Sequence, residues 1–258
     1  MRFCVLASGS SGNCIYVESE GTRLLIDCGL GRRELRRRLD AVGTSAERLD
    51  AVLLSHEHTD HSGGAGIASR SFSAPLHATW PTFAGIEKRL GALCGLVEFE
   101  AGNPFEVGSL RVEPFSLPHD AADTCGFIID DGHSRLGVAT DLGQATALAR
   151  EKLHGCSALV IESNHDPHML EAGPYPWPLK RRISGRLGHL SNGEGAALLS
   201  CLLHPGLRHV VLAHLSRTNN LPEMALAAAR LTLSAAGVNG EVSLTLGRQD
   251  EPGAMLSL

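Results

Sequence analysis

The sequence predicts an α/β fold, and two observations carry that prediction. Short apolar runs of strand character alternate with amphipathic or Ala/Leu-rich stretches of helical character. No linker, low-complexity tract or short-period repeat interrupts them, so residues 1–258 read as a single domain. At 43% hydrophobic residues the chain can bury a substantial core, which excludes a disordered protein.

The strands are expected at Arg2–Leu6, Cys14–Glu18, Arg23–Asp27, Ala51–Ser55, Leu110–Phe115, Gly126–Asp130, Leu136–Thr140, Ala158–Glu162 and His209–Ala213. SGSSGN (Ser8–Asn13) lacks the lysine-terminated phosphate-loop pattern and reads as the tight connection of the first hairpin. Helices are expected at Arg32–Val42, Thr82–Leu90, Gln144–Leu153, Gly193–Leu203 and Pro222–Ala236. The last opens on a proline, which suits a first helical turn.

Composition excludes several classes. No run of 18 apolar residues could cross a membrane, and MRFCVLASGSSGN lacks the apolar region of an export signal. Seven scattered cysteines without a CxxC pair predict reduced, mostly buried thiols in a cytoplasmic protein. The net charge of −5 gives no global basic field. Two basic clusters, Arg32–Arg38 and Lys180–Arg186, read either as solvated faces or as phosphate contacts.

A longer echo links the two halves. RLLIDCG (Arg23–Gly29) and LGVATDLG (Leu136–Gly143) are strands ending in Asp-x-Gly or Asp-Leu-Gly turns. LDAVLLSH (Leu49–His56) and LRHVVLAH (Leu207–His214) are strands ending in histidine. Each half is thus expected to deliver one carboxylate and one imidazole from strand ends.

Histidine is the unusual investment of this chain, at 13 residues against 4% aromatics. SHEHTDHSGG (Ser55–Gly64) places His56, His58, Asp60 and His61 directly after an apolar strand. In extended backbone His56 and His58 share one side and can share one cation. A helical turn after them would swing Asp60 and His61 round to a second cation. Further donors stand where strands end: His119 in SLPHDA, Asp141 in VATDLG and His214 in VVLAHLS. Neither a GxSxG motif nor a cysteine–histidine nucleophile motif competes with this set.

HxHxDH, a downstream histidine, a strand-terminal aspartate and a last histidine resemble the metallo-β-lactamase superfamily. The resemblance spans essentially the whole chain and implies a four-layer αββα sandwich with metals at the sheet edge. It implies that His56, His58 and His119 bind one divalent ion and Asp60, His61 and His214 another, with Asp141 bridging. It also implies that Asp27 supports the metal loop without ligating. Zinc, manganese or iron would suit such donors.

Asp141, where antibiotic-hydrolysing members have cysteine, narrows the group. So do IESNHDPHML, GPYPWPLKRRI, GHLSN and LAHLSRTNN, which resemble the YycJ (WalJ) group, related to tRNase Z. That resemblance makes His189 in GHLSN a proton donor, joining Asp60 in the catalytic set, although Leu190 stands where tRNase Z has a small hydroxyl residue. A capping histidine is the structural alternative for His189. GPYPWPLKRR reads as a rigid surface loop, or as a wall where Tyr175 or Trp177 stacks on a base and Lys180, Arg181 and Arg182 hold phosphates. Asn164, His165 and His168 either line the site or satisfy a loop.

The expected activity is dinuclear phosphodiester hydrolysis through a metal-bridging hydroxide. By resemblance the substrate is DNA, degraded 5′ to 3′. No β-CASP insertion fits between Asp141 and His214. A small cyclic phosphodiester is the alternative substrate, and a glyoxalase-II-like thioester hydrolase the alternative enzyme.

Overall fold

A computed structural model describes residues 1–44, 47–238 and 240–258. Among the described residues the strands form two seven-stranded mixed sheets. The first holds β1 (Arg2–Ala7), β2 (Cys14–Ser19), β3 (Thr22–Ile26), β4 (Ala51–Leu53), β5 (Leu76–Ala78) and β6 (Leu96–Glu98) in sequence order. The second holds β7 (Phe105–Val107), β8 (Leu110–Ser116), β9 (Cys125–Asp130), β10 (Arg135–Ala139), β11 (Ala158–Glu162), β12 (His209–Ala213) and β13 (Ser243–Leu246). The C-terminal β14 (Leu256–Ser257) returns to pair antiparallel with β1.

Helices α1 (Arg32–Ala41), α2 (Thr59–Ser62), α3 (Ala65–Phe72) and α4 (Trp80–Leu90) connect the strands of the first sheet. Those of the second are joined through α5 (Ala147–Leu153), α6 (Pro167–Ala172), α7 (Trp177–Ile183), α8 (Asn192–Leu202) and α9 (Pro222–Ala235).

The central strands are apolar along their whole length because both faces are covered. In β1 the side chains alternate between two cores. Phe3 and Val5 join Phe127, Val138 and Val160 between the sheets. Cys4 and Leu6 join Leu35, Leu39, Phe72 and Ile86 beneath α1, α3 and α4. On the far side, Leu159 and Ile161 of β11 pack with Leu153, Leu198, Leu202, Ala229 and Leu233 beneath α5, α8 and α9. The layers are therefore helices, sheet, sheet, helices, as the resemblance implied.

Both sheets repeat one topology. β1–β2–β3 and β8–β9–β10 are antiparallel, whereas β3–β4–β5–β6 and β10–β11–β12–β13 are parallel. Asp27 after β3 and Asp141 after β10 are therefore counterparts, matching the sequence echo. The histidine half of the echo is corrected. His56 follows β4, whose counterpart is β11 with Glu162, while His214 follows β12, the counterpart of β5. The apolar LL-S-H and VL-A-H endings match as strings but occupy different places in the repeat.

A candidate metal centre where strands end

Three strand ends bend in the same unusual way. Asp27, Asp141 and His214 have φ of 60°, 58° and 57°, the left-handed region that non-glycine residues seldom enter. Each such bend costs on the order of 1 kcal/mol or more and persists where surroundings enforce it. Here the Asp27 amide donates to the Leu53 carbonyl at 2.8 Å, and the His214 amide donates to Ser8 Oγ at 2.6 Å. Ser8 opens the SGSSGN connection between β1 and β2, so that turn reaches the site as well as closing the hairpin.

The metal loop runs extended through His58 and enters α2 at Thr59. His56 and His58 thus stand together, their ring centres 4.6 Å apart, while Asp60 and His61 turn away on the helix. Close approach of the loop to the backbone after β3 requires glycine. A Cβ on Gly29 would lie 1.8 Å from the Asp60 carbonyl oxygen.

The side chains converge in overlapping groups whose donor atoms lie within 4.8 Å of one another. One group is His56, His58 and His119; another is Asp60, His61 and His214. Asp141 lies with His56 and His61 in a third group, and with Glu162, His189 and His214 in a fourth. Every residue that the sequence assigned to cation binding is therefore at one place.

Hydrogen bonds decide which ring nitrogen faces that place. Ser55 Oγ donates to Asp27 Oδ2 at 2.8 Å, so His56 Nδ1 donates to Ser55 Oγ at 2.9 Å. His61 Nδ1 donates to Asp27 Oδ2 at 2.8 Å, and His119 Nδ1 to the Gly188 carbonyl at 3.1 Å. His214 Nδ1 donates to Glu162 Oε1 at 2.9 Å. In all four rings Nδ1 is engaged and Nε2 turns inward, the arrangement that orients imidazoles for a cation. His56 Nε2, His214 Nε2 and Asp141 Oδ2 are buried without hydrogen-bond partners among the described residues. Unpaired buried polar atoms are costly, and a divalent cation held by these nitrogen and oxygen atoms would satisfy them. The donor set fits divalent metal.

The two histidine groups differ in charge. Burial lowers the pKa of His56 and His119. Burial also opposes charge on His214, yet Asp141, Asp60 and Glu162 outweigh it and lift the ring to about 10. At His61 burial is likewise overcome by Asp141 and Asp27, which raise it well above the usual range.

Glu162 escaped the sequence reading. It is fully buried at the end of β11. Its Oε1 accepts from His189 Nδ1 and His214 Nδ1, both at 2.9 Å. Its Oε2 accepts from the amides of Leu142 at 3.2 Å and Leu190 at 3.0 Å. Burial works against the carboxylate, but His189 and His214 hold its pKa at about 2. The usable signal was a strand ending in an acid at the topological position of His56. His189 itself is fixed by the turn into α8. Ser191 and Glu194 close a capping box there, so the histidine precedes the cap instead of forming it.

Asn164 is buried, and its Nδ2 donates to the His214 carbonyl at 2.8 Å, bracing that strand end. His165 is buried, and His168 lies exposed on α6. The Gly173–Arg182 stretch departs from the loop expectation, becoming helix α7 at Trp177. Pro178 permits this because proline fits a first helical turn. Trp177 is 63% exposed, with Lys180 Nζ 5.3 Å from its ring centre. Tyr175 is half-buried before the helix, Arg181 is exposed, and Arg182 pairs with Asp120.

Residues 22–215 match the β-lactamase superfamily domain, and the chain belongs to the metallo-β-lactamase superfamily. Within it, the chain belongs to the family of the YycJ and WalJ exodeoxyribonucleases. It is 34% identical over 227 residues to exodeoxyribonuclease YycJ of Bacillus anthracis, covering 87% of this chain and 86% of the relative. Exodeoxyribonuclease WalJ of Streptococcus pneumoniae is 34% identical over 228 residues, with 87% and 85% covered. The fold is also that of Zn²⁺-bound PqqB from Methylobacterium extorquens, at TM-score 0.75 and 20% identity over 100% of both chains.

Proposed function

We propose that this protein is a dinuclear metal-dependent exodeoxyribonuclease. The observation that carries this reading is the convergence of inward Nε2 atoms and unpartnered carboxylate oxygen at one rim, in a chain of the YycJ/WalJ family. His56, His58 and His119 would hold one ion, Asp60, His61 and His214 the other, and Asp141 both. Asp27 and Glu162 hold the ligand rings from behind. Such ions, whether zinc, manganese or iron, would supply hydroxide near neutral pH and offset charge on phosphorus.

The chain's own residues supply the rest. His189 keeps Nδ1 on Glu162, and its pKa is raised because Glu162 outweighs the effect of burial. That shift favours the protonated ring, which would give its Nε2 proton to the departing oxygen. Asp60 is the partly exposed carboxylate of the set, with its Oδ2 3.5 Å from His214 Nε2. Helix α7 offers Trp177, with Tyr175 beside it, as a base-stacking platform, and Lys180, Arg181 and Arg182 as cations for the DNA backbone.

The 5′-to-3′ polarity follows the YycJ/WalJ likeness. No helix among the described residues is long and apolar enough to cross a membrane. The free cysteines fit a reducing cytoplasm. Digestion of end-labelled DNA by protein of known metal content tests the reading. Manganese- or zinc-dependent release of nucleotides from the 5′ end supports it. Inert DNA together with rapid glutathione-thioester cleavage would replace it.

A further inference from the structure

Helix α7 buries no side chain, yet the segment that follows it is wired into the candidate metal centre. His119 Nδ1 donates to the Gly188 carbonyl at 3.1 Å. The Asp120 amide donates to the Leu187 carbonyl at 3.0 Å, and the His189 amide to the Ile183 carbonyl at 2.8 Å. The last turn of the helix is therefore held in register with His119 and His189.

Its cations are not equivalent. Lys180 Nζ reaches the Glu171 carbonyl at 2.5 Å and lies over Trp177, turned along the helix. Arg182 instead pairs through Nε with Asp120 Oδ2. That contact leaves the two terminal nitrogens of a guanidinium that is 55% exposed. The other Asp120 oxygen, Oδ1, lies 3.4 Å from His119 Nε2 and is buried without a hydrogen-bond partner among the described residues. One carboxylate thus spans from a candidate ligand atom to the arginine.

We propose that Arg182 is the specificity-determining residue for the reacting phosphate and that Asp120 is its positioning residue. This rests on the phosphodiester reading above. A phosphate drawn to the His56–His58–His119 cluster meets, one carboxylate further out, a planar donor fork suited to two anionic oxygens. Because Asp120 takes Nε, phosphate can take the terminal nitrogens without breaking the tether. The reacting group of a thioester has no paired anionic oxygens, so this arrangement favours phosphate esters at the reacting centre.

The test compares metal-loaded wild type with Arg182→Ala, Arg182→Lys, Asp120→Asn and the Arg182→Ala/Asp120→Asn double variant. KM and kcat are read on bis(p-nitrophenyl) phosphate, and Kd on fluorescein-labelled oligothymidylate by anisotropy. Bound metal per chain and the melting temperature are measured alongside. Arg182→Ala should raise KM and Kd roughly tenfold or more, with kcat changed much less. Arg182→Lys should fall between, because it keeps charge but not the fork. Asp120→Asn should act in the same direction, with metal content unchanged. The double variant should be no worse than Arg182→Ala, since Asp120 acts through Arg182.

Unchanged KM and Kd in Arg182→Ala, with wild type cleaving DNA, would overturn the proposal alone. So would multiplicative effects in the double variant, or metal loss in Asp120→Asn. Wild type that neither binds nor cleaves phosphodiesters would instead remove the reading on which the proposal rests.

Discussion

The His56–His58–His119 cluster and the Asp60–His61–His214 cluster lie side by side, but their surroundings differ. In the first, Ser55 and a backbone carbonyl orient two of the rings, and burial keeps His56 and His119 inclined to the neutral form. In the second, Asp27 and Glu162 orient the rings while Asp141 adds charge, and His61 and His214 are inclined to hold protons. The first is ready to take a cation; the second must release protons to do so. Asp141 belongs to both environments, since its oxygens lie 3.1 Å from His61 Nε2 and 3.8 Å from His119 Nε2.

The largest effect is expected where the clusters meet. Asp141→Ala should abolish measurable DNA cleavage and weaken cation binding in both, as checked by nuclease assay and metal titration. Retained turnover would remove the link between them. His189→Ala should lower kcat by about 10²–10⁴ while leaving cation content intact, the range for loss of a general acid. Simultaneous loss of metal would recast His189 as a ligand.

Asp27→Asn should weaken the second cluster selectively, by about tenfold to a hundredfold in cation affinity, because Asp27 orients His61. Equal weakening of both clusters would show that Asp27 acts through Ser55 and His56 as strongly. The last contrast between the clusters is pH dependence. His61 and His214 have raised pKa values, so at neutral pH an arriving cation displaces their protons. Affinity at the second cluster should therefore climb with pH, about tenfold per unit for each proton displaced, up to the region of 10 set by His214. The first cluster should stay nearly flat above pH 7, because lowered pKa values leave His56 and His119 neutral there. Calorimetric titration in buffers of different ionisation enthalpy separates the two.

Much of this arrangement was visible in the amino-acid order, for physical reasons. Strands buried on both faces are continuous apolar runs, so β1–β4 and β9–β12 stood out. HxHxDH also announced itself, because its spacing changes from the two-residue repeat of a strand to a helical turn within one short segment. The edge strands did not. β6 is exposed along its length, and β14 is two residues long, so neither carries a hydrophobic period. Helix α3 begins in a Gly-Gly-Ala-Gly stretch that reads locally as a loop and is held by burial of its Ala68 and Phe72 in the core with Leu35 and Ile86. Glu162 was hidden because an acid at a strand end looks like ordinary solvent contact. Only the fold shows four donors closing on it.

The most direct test is anomalous diffraction from crystals grown with manganese or zinc. The account predicts two peaks, one bounded by His56, His58 and His119 and one by Asp60, His61 and His214, with Asp141 within coordinating distance of each. A single peak that Asp141 does not touch, or Nε2 atoms turned away from any ion, would contradict it.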